Sequence, residues 1–349
     1  MAHERERFLT PLIKECLRFS PLVGVLGHRQ VGKTTVVQRL ATHYETLDLR
    51  ETLKKAEQNP TDFINSFSGL GNAIDECQLV PDLFPALKEH VRKNKRPGQF
   101  IMSGSVRFSS RKAIRESLTG RIVNLELLPF TVGELLSESP TINLKKIIES
   151  PHIERLQERF SAMNSTTETN QKNSAIKTYF ENGGLPGVCF IRKEDLRSMR
   201  LREQLITILD RDLRLVYPTT LPLQQLIDFV SVLARLEGKV INHQNIYREI
   251  GISTNTQKKL LYALEAIFLI RTLPTSLGGH VEYFEDQAET LYLNNFKLEE
   301  IQKHEGFIFR HARTHFTYQI GLRASYFQFR TRAGVRVPLV VETPQGILG

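Results

Sequence analysis

Residues 27–34 read Gly27-His28-Arg29-Gln30-Val31-Gly32-Lys33-Thr34, a complete G-x-x-x-x-G-K-[ST] phosphate-binding loop. Such a loop needs a strand before it and a helix after it. The run Pro21-Leu22-Val23-Gly24-Val25-Leu26 is apolar and partly β-branched, and reads as a buried strand. Thr35-Val36-Val37-Gln38-Arg39-Leu40-Ala41 carries apolar residues at helical spacing. Gly27 and Gly32 allow backbone angles closed to other residues and let main-chain N–H groups approach an anion. The helix start adds its own N–H groups and partial positive charge. Lys33 can reach the β- and γ-phosphates, and the Thr34 hydroxyl can ligate Mg²⁺. Residues Gly27 to Thr35 are therefore the expected phosphate contacts, with ATP and Mg²⁺ as ligands.

A second acidic site supports the first. Ala73-Ile74-Asp75-Glu76-Cys77 follows Gly69-Leu70-Gly71-Asn72, and the run into Asp75 reads as a short, weakly hydrophobic strand. An Asp at a strand end can hold Mg²⁺, and an adjacent Glu can orient and deprotonate the attacking water. The bland alternative is an exposed acidic pair. A third element, Gln99-Phe100-Ile101-Met102-Ser103-Gly104-Ser105, is a short apolar strand ending in hydroxyl residues. By composition alone it is a plain strand with a Gly/Ser turn.

These segments occur in a fixed order with others: Glu116-Ser117-Leu118-Thr119-Gly120-Arg121, Leu127-Leu128-Pro129-Phe130, Glu134-Leu135 and Gly183-Gly184-Leu185-Pro186. Over roughly residues 6 to 340 the ordered set resembles the prokaryotic AAA-like P-loop ATPases that carry a C-terminal domain of unknown function. The resemblance implies an additional-strand (ASCE-type) core in which the strand ending at Ser103 lies between the phosphate-loop strand and the Asp75 strand. That order would put Ser103 and Ser105 beside the γ-phosphate. Arg121 follows as a γ-phosphate contact or a finger acting on a second copy, against the alternative of a surface arginine.

Composition bounds the rest. The 349 residues suffice for two or three cores. The three cysteines, Cys16, Cys77 and Cys189, have no paired or metal-ligand spacing. No run of eighteen apolar residues predicts a membrane span, and the charged amino terminus leads into no signal-peptide core. The cytoplasm is the expected location, with no membrane partner. A net charge of +9 favours acidic partners, nucleic acid first, against solubility alone.

The expected fold class is α/β: a P-loop NTPase parallel sheet over residues 1–140, with further strands at Tyr44–Leu49 and Arg121–Leu127. Residues 141–222 are expected to be a helical linker, with a loop over the polar Asn164–Gln171 and a turn at Gly183–Gly187. Residues 223–285 predict three helices and two wing strands, a winged-helix pattern. The third helix, capped by Ser253, offers Thr254, Asn255, Thr256, Gln257, Lys258 and Lys259 to DNA, or packs on its neighbours instead. Residues 286–349 form a small α+β tail. By the family resemblance it is nuclease-like but degenerate, because Arg336 and Pro338 stand where metal-binding acids would be expected and Glu342 alone cannot form a hard-metal site.

The leading expectation is an ATPase with Lys33 and Thr34 on phosphate and metal, Asp75 supporting the metal, and Glu76 activating water. Ser105 and Arg121 are auxiliary candidates. The rivals are a nucleotide-gated DNA-binding regulator and a partner-binding scaffold. Self-association is the remaining partner expectation.

Overall fold

The computed structural model describes residues 5–108, 120–138, 166–319, 323–344 and 346–349. Its first layer is a five-stranded parallel sheet in the order β2-β3-β4-β1-β5. The strands are β1 (Leu22–Leu26), β2 (His43–Thr46), β3 (Asn72–Asp75), β4 (Phe100–Gly104) and β5 (Ile122–Glu126). β4 pairs with β1 on one side and β3 on the other, the additional-strand order that the family resemblance implied.

β1 is buried along its whole length, which is why it reads as an unbroken apolar run. Successive side chains point to opposite faces. Leu22 and Leu26 join one cluster with Phe100, Met102, Phe84 and Leu87. Val23 and Val25 join the other, with Ile13, Val37, Ile101 and Leu125. Burying each such side chain contributes about 1.5–3 kcal/mol, so the central strands are fixed from both sides. Helices α1 (Thr10–Leu17) and α2 (Lys33–Leu40) cover the second face, and α3 (Arg50–Gln58), α4 (Pro60–Asn65) and α5 (Leu83–Lys93) the first.

Beyond the sheet, a helix at Glu194–Thr207 continues through a π-helical turn, Ile208–Asp212, to Val216. Three helices follow, Leu223–Arg235, His243–Ile250 and Thr254–Ala266, then the antiparallel hairpin β6 (Ile270–Pro274) and β7 (His280–Phe284). Ser253 caps the third helix by accepting from the Thr256 N–H, and Gly251 ends the second at φ +73°, as expected. These helices share a separate core around Phe229, Leu233, Leu260 and Leu264. The tail comprises the long helix Glu300–Gln319 and the sheet β8 (Ser325–Arg330), β9 (Arg336–Thr343) and β10 (Gly346–Leu348). No helix among the described residues is long and apolar enough to cross a membrane.

Two expectations need correction here. Within the expected loop Asn164–Gln171, residues from Thr166 onward begin a helix that runs to Asn182. Asn164 and Ser165 lie outside the described residues. Helix propagation from a packed carboxyl half, where Tyr179 is buried, carries the polar turns along. Gln257 is fully buried, donating to the carbonyls of His243 and Ile252, so it cannot read a base edge. Asn255, Lys258, Lys259 and Tyr262 form the exposed face of that helix.

The turn Gly183–Gly187 does more than connect. The Gly184 N–H donates to Asp286 at 2.6 Å, and Phe130 N–H donates to the Gly184 carbonyl. A Cβ on Gly183 would stand 2.0 Å from Asp286 Oδ1, at a φ of +68°. Gly183→Ala should therefore lower stability by about 1–3 kcal/mol. Gly251→Ala, with φ +73° and nothing within 4 Å, should cost only the backbone strain, about 1 kcal/mol. Urea melts of the two variants check the difference; equal losses would mean that the Asp286 contact is not a packing constraint.

Candidate functional site

The phosphate loop leaves the carboxyl end of β1, where ligands bind in open α/β sheets. Gly27 is required for a reason beyond phosphate approach: a Cβ there would lie 2.3 Å from the Leu127 carbonyl. Gly32 adopts φ +97° and leads directly into α2. Lys33 is buried, and its Nζ donates to the carbonyls of Gly27 at 3.1 Å and His28 at 2.9 Å. Thr34 and Thr35 are exposed on the first turn of α2.

Asp75 is the centre of the site. Its Oδ2 accepts from Thr34 Oγ1 at 2.6 Å and from the Tyr44 hydroxyl at 2.9 Å. Its Oδ1 accepts from the Ser103 hydroxyl and from the Glu76 N–H at 3.0 Å. Burial and the Asp75 charge push the Tyr44 hydroxyl up to about 12, so it stays a donor. The Asp75 carboxylate and Thr34 hydroxyl are hard oxygen donors side by side, a pair suited to Mg²⁺.

Glu76 follows in a left-handed conformation, φ 57°, and is only 8% exposed. Gln78 donates its amide to Glu76 Oε2 and to Ser105 Oγ, the latter at 3.1 Å. Burial pushes the Glu76 carboxyl up, with the Lys33 charge opposing. Burial pushes the Lys33 ammonium down, with Glu76 and Asp75 opposing. Ser103 thus holds Asp75, and Ser105 reaches Glu76 through Gln78.

The variable loop residues face other segments. His28 is buried with its Nε2 3.0 Å from Glu289 Oε1, at an angle outside a regular hydrogen bond, and its Nδ1 lies 2.7 Å from the Arg29 carbonyl. Burial lowers the His28 pKa, but the adjacent Glu289 carboxylate and the contact of Nδ1 with the Arg29 carbonyl outweigh it and leave His28 raised. Arg29 Nε stands 3.6 Å from Asp212 in the π-helical turn. Burial raises the Asp212 carboxyl, with Arg29, Arg211 and Lys33 pulling it back. Gln30 packs against Gly187. Val31 offers its carbonyl to Arg7 Nη1 at 2.7 Å, and the same guanidinium donates to Leu128 and pairs with Glu134.

Arg121 is not near this constellation. It precedes β5, whose first residue pairs with Leu22 at the start of β1, so it stands at the amino end of the sheet. A five-residue strand spans about 16 Å, which excludes a γ-phosphate contact within the same chain. Glu116 to Thr119 of its segment lie outside the described residues. Arg7, Asp212, Asp286 and Glu289 carried no sequence signal, because a lone charged residue is silent about its burial. Gln78 and Glu134 were within quoted motifs but had no role there.

Beside α2 lies a crevice of about 990 Å³ lined by Gly32, Thr35, Arg39, Phe130, Pro186 and Phe190. In the tail, Arg336 donates through Nη1 and Nη2 to the two carboxylate oxygens of Glu305, and Glu342 accepts from Ser325.

Residues 20–136 match a family described as AAA domain, and residues 173–294 match a domain of unknown function (DUF8612). Uncharacterized proteins of Mycobacterium tuberculosis and Mycobacterium bovis are each 24% identical over 264 residues, covering 75% of this chain and 51% of theirs. The chain thus spans about half the length of the curated relatives it matches. Among solved structures it is similar to a Walker-type ATPase of Pyrococcus abyssi, with 12% identity and a TM-score of 0.46, covering 81% of this chain and 94% of that one. A STAND (signal transduction ATPase with numerous domains) protein of Pyrococcus horikoshii gives 13% identity and a TM-score of 0.33, over 92% and 48%. By its strand order and its phosphate loop the region 20–136 has the P-loop NTPase fold, and its sequence matches the AAA domain family.

Proposed function

We propose that this chain binds ATP with Mg²⁺ at Gly27–Thr35, hydrolyses it slowly, and transmits the nucleotide state to its C-terminal region. The carrying observation is Asp75, which β3 and β4 bring within 2.6 Å of the Thr34 hydroxyl with Glu76 adjacent. The β- and γ-phosphates seat on the loop, where Lys33 Nζ supplies charge. Thr34 and Asp75 would hold Mg²⁺, which when bound neutralises phosphate charge. Glu76 Oε1 accepts the proton of the attacking water, while Gln78 fixes the other oxygen. The crevice beside α2 suits the nucleoside, with Phe130 and Phe190 as apolar walls. Polyphosphate next to Arg29 and Lys33 competes with the Asp212 carboxylate for their charge, which gives the nucleotide a lever on the π-helical turn.

A second reading keeps the nucleotide as a gate on DNA binding. We read the three helices and hairpin of 223–284, by their order along the chain, as a winged helix whose third helix exposes Asn255, Lys258 and Lys259. A salt titration of duplex binding with and without ATP separates it from the first reading.

Lys33→Ala should abolish ATP binding by calorimetry in a folded protein, whereas Glu76→Gln should keep ATP and Mg²⁺ and lose about 10²–10⁴-fold in turnover. Because burial raises the Glu76 carboxyl and the base must be ionised, the parent's kcat should fall as pH drops through a midpoint above the ordinary glutamate range. Full turnover in Glu76→Gln would assign the base elsewhere. Asp212→Asn removes a negative charge that repels phosphate, so ATP should bind about three- to tenfold tighter. Unchanged or weaker binding by calorimetry would remove Asp212 from the nucleotide response.

A further inference from the structure

The amino end of the sheet carries its own charge pattern. The exposed stretch that closes α5 and follows it reads Arg92-Lys93-Asn94-Lys95-Arg96-Pro97. Across from it, the α1–β1 connection presents Arg18 and Phe19, the latter 63% exposed. The two segments are laced together by main-chain bonds, from Gly98 N–H to the Ser20 carbonyl at 2.9 Å and from Gln99 N–H to the Pro21 carbonyl at 3.0 Å. Gly98 has φ +69°, and a Cβ there would meet the Leu17 carbonyl at 3.1 Å. The buried Gln99 side chain donates to the carbonyls of Asn94 and Arg96, the latter at 2.7 Å. The curve of the basic loop is therefore set in advance, and such preorganisation lowers the cost of binding.

Between the segments lies a crevice of about 490 Å³ whose lining includes Phe19, Pro21, Arg92, Lys95, Arg96 and Arg121. Glu89 meets the loop at 2.8 Å from Arg92 and 3.6 Å from Lys93, and Glu15 stands one turn before Arg18. Among the described residues no carboxylate lies within ion-pair distance of Lys95 or Arg96. These two cations keep their hydration and charge for an external anion.

We propose that this crevice binds single-stranded nucleic acid, with Arg92, Lys95 and Arg96 on backbone phosphates and Phe19 stacked on a base. A row of exposed cations on a loop whose backbone is held in advance favours a polyanion with regularly spaced charge. The neighbouring aromatic ring selects among polyanions. An unstacked base offers it a π-face, whereas a closed duplex or an acidic peptide does not. This surface is distinct from the helix Thr254–Ala266. It sits at the start of β1, whose other end is the phosphate loop, about 16 Å away.

Fluorescence anisotropy with a labelled oligothymidylate of about 20 nucleotides, titrated against salt on the full chain, tests the proposal. The parent should bind. Replacing Lys95 and Arg96 together with Ala should weaken binding at least about tenfold and reduce the salt slope by about 1.4. Phe19→Ala should weaken it about tenfold with the slope unchanged. Replacing Lys258 and Lys259 with Ala should leave it as in the parent. All five side chains are exposed, and equal melting midpoints confirm folding. The proposal is overturned by absent binding in the parent, by parent-like affinity in the Lys95/Arg96 variant, by loss only in the Lys258/Lys259 variant, or by polyglutamate displacing the oligonucleotide as well as unlabelled oligothymidylate does.

Discussion

Each of the four variable residues of the phosphate loop is gripped by a different segment of the chain. His28 faces Glu289, Arg29 faces Asp212, Gln30 lies against Gly187, and the Val31 carbonyl takes Arg7. Three of those grips come from beyond the sheet domain. A phosphate loop alone needs only its glycines, its lysine and its helix, so the side chains at the variable positions are free to answer other demands. Here they are the points where the C-terminal region takes hold of the phosphate loop. Removing one partner of a fully buried ion pair typically costs about 3–5 kcal/mol, a scale that applies to His28–Glu289 when His28 is protonated, while Arg29–Asp212, partly exposed at the arginine, is the weaker grip.

The two ion pairs differ in a way that bears on function. His28 and Glu289 are both fully buried, deep under the loop, and form a permanent seam. Arg29 is partly exposed, and Asp212 lies in a π-helical turn, a local irregularity often found where a helix does work. Asp212 also feels the Lys33 charge. A phosphate placed on Lys33 changes the field at Asp212 but leaves Glu289 behind the loop. The seam keeps the regions together while the second pair responds. Arg107 adds a further tie: its backbone N–H donates to the Ala266 carbonyl, and its guanidinium lies over Phe268. These contacts pack the residue after β4 directly against the three-helix unit.

Much of the sheet was legible because its physics is local. β1 and β4 are buried on both faces and so are apolar throughout; the loop between β1 and α2 has a required spelling; β3 is short and weak but is flagged by Asp75-Glu76. The strand order came from the family resemblance and not from periodicity. What was illegible is long-range and charged: Arg7, Asp212 and Glu289 reach the loop from 24, 183 and 261 residues away from Val31, Arg29 and His28 respectively by chain position. Two misreadings were avoidable. Gln257 stands three and four residues before Leu260 and Leu261, so helical period put it on the buried face despite its polar type. Arg121 precedes a parallel strand, and parallel direction alone sends it to the end opposite the phosphate loop.

The central claim is that nucleotide on the phosphate loop is felt in the segments that grip it. Hydrogen–deuterium exchange on the Glu76→Gln variant, with and without ATP and Mg²⁺, reads this most directly. The account predicts changed exchange in the loop and also in the π-helical turn Ile208–Asp212, with the helix Gln287–Leu293 holding its protection. Changes confined to the phosphate loop and α2, with Ile208–Asp212 exchanging identically in both states, would contradict it.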